Sequence, residues 1–293
     1  MRVATRRLRA ALRSFGDVLP PDAEGLRAEL QWLGRSLSVV RDLDVQVQQL
    51  QNWQKSLSDA DQPAMASLLG IVAEARRHAR EPLIEALSSE RYRALLERAD
   101  ALLAAEQPEA AAEPVATWAP RLVERLYRKL RKLGDKLDGH SPAAQLHALR
   151  ISAKRLRYLV EFVMPTYGQP AERFARRTVE LQDVLGNHQD AYVAVERLRE
   201  MLAARHAAIS LELAFVMGEL AERYAGIGAE MRREFGGTYG RLTRKPWRRL
   251  RKALESTAAR AELIRRQQAA AQVAANAAEL LGGHAAEAAT PSS

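Results

Sequence analysis

Arg2, Arg6, Arg9 and Arg13 recur at spacings of three and four residues. On an α-helix turning roughly 100° per residue, these four guanidinium groups share one stripe about 60° wide. Arg121, Arg125, Arg128 and Lys132 form a second stripe of about the same width, and His147, Arg150, Lys154 and Arg157 a third of about 80°. Arg244, Arg248, Arg251 and Lys252 make a broader fourth. Each guanidinium is a planar fork of N–H donors with no acceptor, a shape that matches phosphate oxygens. Groups one turn apart stand roughly 6 Å apart along the axis, a ladder suited to a linear polyanion rather than to one isolated phosphate. Like charges at i,i+4 repel by a few tenths of a kcal/mol per pair, so a surface helix ordinarily mixes signs. A single such stripe reads as a solvated face. Four in one chain, two of them in repeated segments, point to an anion that relieves the repulsion.

The charge distribution supports the same reading. The chain has 293 residues, 45 Lys and Arg against 36 Asp and Glu, a net charge of +9 and a pI near 10.1. Segments 1–16, 121–136, 146–160 and 241–252 hold 23 of the basic residues, and their only acids are Glu124 and Asp135. The rest of the chain is therefore net acidic, and a polyanionic partner is expected. Other chemistries find little support. No cysteine is present, which removes disulfides, thiolate ligands and cysteine nucleophiles and is compatible with a cytoplasmic setting. His147 has no second His or carboxylate at i+3 or i+4, so no metal site is expected. His188 lies among Leu181, Leu185 and Tyr192, where a core or groove-edge role is expected, and Tyr158 lies close to His147 in angle, where it would flank the groove. No P-loop, nucleophile elbow or HExxH pattern occurs. No catalytic residue and no cofactor are implied, and no apolar run is long enough to span a membrane.

The elements that must carry these stripes are helices. Apolar residues recur at i, i+3, i+4 and i+7, as in Leu8, Ala11, Leu12 and Phe15, and no sustained strand-like alternation appears. Periodicity, with Pro and Gly as breaks, predicts helices near 2–17, 22–55, 62–88, 90–105, 118–137, 143–164, 170–203, 205–235 and 244–270, the eighth ending at Gly236-Gly237. On the first helix Ala4, Leu8, Ala11 and Phe15 lie opposite the arginine stripe and are expected to face the core. The sequence divides into a first helical unit over 1–105, a linker over 106–117, a second unit over 118–255 and an Ala-rich tail over 256–293, helical passing to disordered.

The two units repeat one another. Residues 1–9 (MRVATRRLR) lie over 149–157 (LRISAKRLR) at an offset of 148. The same offset lays Leu33, Leu37, Asp42 and Val45 over Leu181, Leu185, Asp190 and Val193. The expected fold is all-α, two helical bundles related by a pseudo-two-fold axis. The recurrence also makes the Arg-rich first helix a structural element rather than a transit peptide. Repeat two has a basic helix at 118–137 ahead of its motif helix; repeat one has none, so the first bundle is expected to lack its leading helix and to expose apolar surface. Arg7 and Arg155 sit at the margins of the apolar faces, each 35 residues before Asp42 and Asp190. Structural ion pairs Arg7–Asp42 and Arg155–Asp190 are expected.

The motifs MRVATRRLRAALRSF, LSVVRDLDV, HALRISAKRLRYLVEF and LQDVLGNHQDAYVAVERL, in that order, resemble the CHAD family (conserved histidine α-helical domain) over residues 1–255. The resemblance implies two related four-helix-type bundles and binding of inorganic polyphosphate in a basic groove lined by Arg, Lys and His, with association to polyphosphate granules. The family's basic positions fall on Arg2, Arg6, Arg9, His147, Arg150, Lys154 and Arg157. The family's first motif opens on a His ahead of the position of Arg2, which this sequence does not show. No segment resembles the triphosphate-hydrolase domain that some members carry, so the resemblance implies no enzyme. Three rivals remain: a nucleic-acid-binding module, which would want aromatic platforms in a chain only 5% aromatic; a polyphosphate-handling enzyme, which would want carboxylates to hold Mg²⁺; and a helical interaction scaffold, which the Ala-rich tail leaves open.

Overall fold

A computed structural model describes residues 1–106, 113–204 and 209–287. Among them are α1 (Arg2–Ser14), α2 (Asp22–Gln54), α3 (Gln62–Ser88), α4 (Glu90–Ala104), α5 (Val115–Gly134), α6 (Ala143–Tyr167), α7 (Gln169–Ala204), α8 (Leu211–Thr243) and α9 (Lys245–Glu287), and no strand. The fold is all-α. Local chemistry sets several boundaries. The Ser89 and Ser210 hydroxyls accept hydrogen bonds from the backbone N–H groups of Tyr92 and Leu213 and cap α4 and α8. Gly168, at φ 56°, turns the chain from α6 to α7 through a backbone region where a Cβ would be strained. The expected linker lies partly outside the described residues, as do the first residues expected of the eighth helix (205–208) and the last six of the tail.

Several boundaries differ from expectation: α5 is shifted to Val115–Gly134, and α6 runs past Pro165 to Tyr167. The first helix ends at Ser14, followed by a 3-10 turn over Gly16–Val18. Helix α8 does not stop at Gly236-Gly237 but continues to Thr243. Both glycines are exposed, whereas Phe235, Thr238 and Leu242 around them are buried. Burying Phe and Leu side chains stabilises by about 1.5–3 kcal/mol each, more than the roughly 1 kcal/mol per glycine lost in propensity. Helix α9 runs on to Glu287, far past Leu254, its last fully buried side chain among the described residues.

The two units use the same succession of partners. Helix α1 packs on α2, and α2 on α3 and α4; α6 packs on α7, and α7 on α8 and α9. Helix α5 lies on α6 and α9. The apolar core falls into three clusters. One joins α1, the first half of α2 and α4 around Leu12, Leu26, Leu30 and Leu95. A second joins α5, α6 and the first half of α7 with the α8–α9 junction around Val123, Leu156, Phe174 and Leu250. The third lies between them, where the distal halves of α2 and α7 meet α3 and α8 around Leu50, Met65, Leu198 and Leu220. Lengths explain this third cluster. The 33 residues of α2 and 36 of α7 each reach about 50 Å, whereas the 13 residues of α1 reach about 20 Å. The long helices outrun their short partners and bury their distal apolar faces on each other's units.

Helix α1 runs beside α6, and its end is pinned there. The Phe15 ring lies 5.4 Å from Trp118 of α5, edge-on, and 5.6 Å from Phe162 of α6. Such aromatic pairs contribute about 0.5–1.5 kcal/mol beyond area burial. They fix the rotation of α1, and with it the direction of its arginines.

The inward face of α1 differs from the expected one. Thr5 and Leu12 are buried, while Ala4 and Leu8 are exposed, Leu8 to 40%. Its repeat partner Leu156 is fully buried in the cluster that α5 completes. The side of α6 that α5 covers therefore corresponds to a side of α1 that no described helix covers.

Candidate anion-binding cleft

Four helices, α1, α2, α5 and α6, contribute to the site. A cleft of about 280 Å³ is lined by Arg6, Arg9 and Arg13 of α1, Arg27 of α2, Arg125 of α5, and Lys154, Arg155 and Tyr158 of α6. No carboxylate lines it. A neighbouring cleft of about 500 Å³ carries Arg121, Arg125 and Arg128 of α5 beside Phe15 and Trp118, and it also holds the carboxylates Asp17, Glu113 and Glu124. Arg125 lines both, so the α5 stripe continues the α1–α6 one.

The cations come close enough to perturb one another. Burial, joined by Arg150, Arg6 and Arg157, pushes Lys154 down to about 8, against a weaker opposing pull from Asp190. Arg13 is held below its ordinary range by burial and then by Arg155, Arg27 and Arg9. Arg9 is lowered likewise by burial, Arg27 and Arg35. These shifts tie α1, α2 and α6 together electrostatically.

Hydrogen-bond donors there lack partners. Of the residues lining the cleft, the buried Nε atoms of Arg6, Arg9 and Arg155 and the Tyr158 hydroxyl have no hydrogen-bond partner among the described residues. Elsewhere on α6 the same holds for Arg150 Nε, Arg157 Nε and His147 Nδ1, Arg157 Nε lying 3.5 Å from Glu161. Gln182 Nε2 and His188 Nδ1 on α7 are in the same condition, and burial next to Arg232 keeps the His188 imidazole below its ordinary range. A buried unsatisfied polar group costs about 1–3 kcal/mol. A cluster made almost wholly of donors fits a ligand made of acceptors.

Sequence-predicted residues distribute unevenly. Arg6, Arg9, Arg13, Arg125 and Lys154 line the cleft, and Arg121 and Arg128 its extension. Arg150 packs against Gly186 of α7, where a Cβ would stand 3.5 Å from its Nε. Arg157 lies 3.5 Å from Glu161, with its guanidinium over the Tyr158 ring. Arg2 and His147 are half-buried on the same helices. Lys132, Arg244 and Arg248 are exposed and line neither cleft. Arg251, on the Arg244–Arg248 side of α9, reaches Glu124 of α5 at 3.6 Å.

Neither expected structural ion pair forms within 4.0 Å among the described residues. Arg7 and Asp42 are both exposed, because α1 turns Thr5 and Leu12 inward. Arg155 instead lines the cleft, and Asp190 acts on Lys154. The neighbouring carboxylate Asp44 pairs with Arg76 of α3 at 2.5 Å. Arg27 and Arg155 are thus cleft residues that the stripes did not include. No periodic signal marks Arg27, which also pairs with Glu24 within its own helix.

No described helix is long and apolar enough to cross a membrane, and no cluster of His, Asp and Glu among the described residues could hold a metal ion. Two curated relatives, both uncharacterized proteins of Mycobacterium tuberculosis (strains CDC 1551/Oshkosh and H37Rv), are each 29% identical over 261 residues, 83% of this chain and 47% of theirs. The chain thus spans about half their length. The structure of PptA from Streptomyces chartreusis superposes with a TM-score of 0.63 at 23% identity, covering 82% of this chain and 87% of that one. The crystal structure of the CHAD domain from the plant Ricinus communis superposes with a TM-score of 0.62 at 26% identity, covering 82% and 80%. The sequence model of the CHAD domain matches residues 1–199. With the motifs, the all-α fold and that match in agreement, the chain belongs to the CHAD domain family.

Proposed function

We propose that this protein binds linear inorganic polyphosphate in the cleft between α1, α5 and α6, and performs no chemistry on it. One observation carries the reading: buried, unpartnered donors on both α1 and α6 converge on a wall that offers no carboxylate. A chain of phosphates supplies acceptors at every unit to meet the donors that stand beside Leu122, Leu126 and Ile151 in the lining. Its charge also relieves the mutual repulsion of Arg6, Arg13, Lys154 and Arg155. The family resemblance supports the same ligand. The 280 Å³ cleft itself has no carboxylate to hold Mg²⁺ or serve as a general base, which favours a binder over an enzyme; Asp17, Glu113 and Glu124 stand only in its extension.

Competition distinguishes this reading from nucleic-acid binding. At physiological salt, long polyphosphate is expected to displace single- and double-stranded nucleic acid of equal charge. A preference for nucleic acid would refute the proposal. Reversing two cleft charges, Arg6→Glu with Lys154→Glu, should abolish polyphosphate binding while helicity by circular dichroism stays unchanged. Affinity should fall steeply with salt, because counterions condensed on the polyanion are released on binding.

A further inference from the structure

A second basic cleft lies away from the first, where α7 and α9 both begin. It measures about 430 Å³. Apart from Pro170 and Pro246, every residue lining it is cationic. Arg173, Arg176 and Arg177 come from α7, Arg241 from the end of α8, and Lys245 and Arg249 from the first turns of α9. It shares no lining residue with the α1–α6 cleft. Lys252 extends it into an adjoining depression that also includes Arg173 and Arg249.

Compensation within the cluster is slight. Arg177 pairs with Glu180 at 2.7 Å. The other five cations have no carboxylate within 4.0 Å among the described residues. Helices α7 and α9 both open at this cleft, since Pro170 and Lys245 stand in their first turns. The macrodipole places partial positive charge at each helix start, although Pro170 and Pro246 carry no N–H and the N–H groups of Ala171, Glu172 and Arg248 already donate to the Gly168 and Arg244 carbonyls. Two helix starts and five uncompensated side chains therefore concentrate positive potential in one concavity built from three helices.

The lining also says what the ligand is not. No aromatic ring lines the cleft to stack a base. A ligand that exploits such a wall is charge throughout. We infer that this cleft is a second, independent site for an inorganic oligophosphate. The 241–252 segment is basic on two faces of its helix: Arg251 reaches towards α5, while Lys245 and Arg249 serve this site with arginines some 70 residues away in sequence.

Tripolyphosphate is the probe, titrated calorimetrically into the full chain at physiological salt. Wild type is expected to take up two equivalents. Arg173→Glu with Arg249→Glu should lose one of them, by at least tenfold in affinity, while Arg6→Glu with Lys154→Glu keeps that one. A second measurement does not depend on variants: in wild type, tripolyphosphate should shift the backbone amide resonances of Arg173, Arg176, Trp247 and Arg249. Unchanged stoichiometry in the Arg173/Arg249 variant, or unmoved amides there, overturns the inference. So does loss of single-stranded oligonucleotide binding with tripolyphosphate uptake intact. Failure of the Arg6/Lys154 variant to lose its own equivalent bears on the first cleft alone.

Discussion

Lys154 turns the proposed binding site into a pH-dependent one. Its ammonium is half-buried and faces Arg150, Arg6 and Arg157, with only Asp190 opposing them, so it titrates near 8 rather than its ordinary 10.5. A phosphate chain in the cleft favours the charged form and returns the group towards its ordinary value. Affinity then follows the protonated fraction of the free protein, about 0.9 at pH 7 and about 0.1 at pH 9. Raising the pH from 7 to 9 should therefore weaken polyphosphate binding about tenfold. At pH 8 binding should draw about half a proton from solution. Calorimetry in buffers of different ionisation enthalpy reads that uptake directly. Lys154→Arg is the control, because a guanidinium stays charged throughout this range. Titration of the polyphosphate ends is common to both proteins and cancels in the comparison. An identical pH profile in wild type and Lys154→Arg would refute the reasoning, since it would place the proton elsewhere.

Three further outcomes test how the site is built. Arg155→Gln should weaken polyphosphate binding about tenfold, because charge-assisted hydrogen bonds contribute about 1.5–3 kcal/mol, whereas Arg7→Gln should leave it within about twofold; fluorescence anisotropy with labelled polyphosphate separates them, and equal effects would restore the structural ion pairs. Phe15→Ala should lower stability in urea by about 2 kcal/mol and weaken binding although no charge is removed, because the Trp118 and Phe162 contacts hold α1 in register with α6. Gly134→Ala should lower the melting temperature, with a cost of about 1–3 kcal/mol, because a Cβ there would collide with the Tyr239 ring, whose hydroxyl donates to Asp135 at 2.7 Å.

Local features were legible in the sequence because their causes are local. The extents of α2 and α3 follow from apolar periodicity and from Pro20-Pro21 and Pro63, and agree with the structure to within a residue. The angular grouping of Arg6, Arg9 and Arg13 depends only on the helical repeat. Gly236-Gly237 shows the limit of such reasoning, because burial of Phe235 and Leu242 overrides the weak helix propensity between them.

What lay beyond the sequence was orientation. Helical geometry states which side chains share a stripe but not which neighbour that stripe meets. Leu8 and Leu156 occupy matching positions, yet one is exposed and the other buried, because α5 covers only the second. The same dependence on neighbours turned Arg155 towards the cleft rather than towards Asp190. It also gathered Arg173, Arg241 and Lys245 into one concavity. The sequence alone determined that this chain is helical and locally crowded with positive charge. Only the tertiary structure decided where those charges converge, because convergence depends on contacts between residues far apart along the chain, and no local periodicity encodes them.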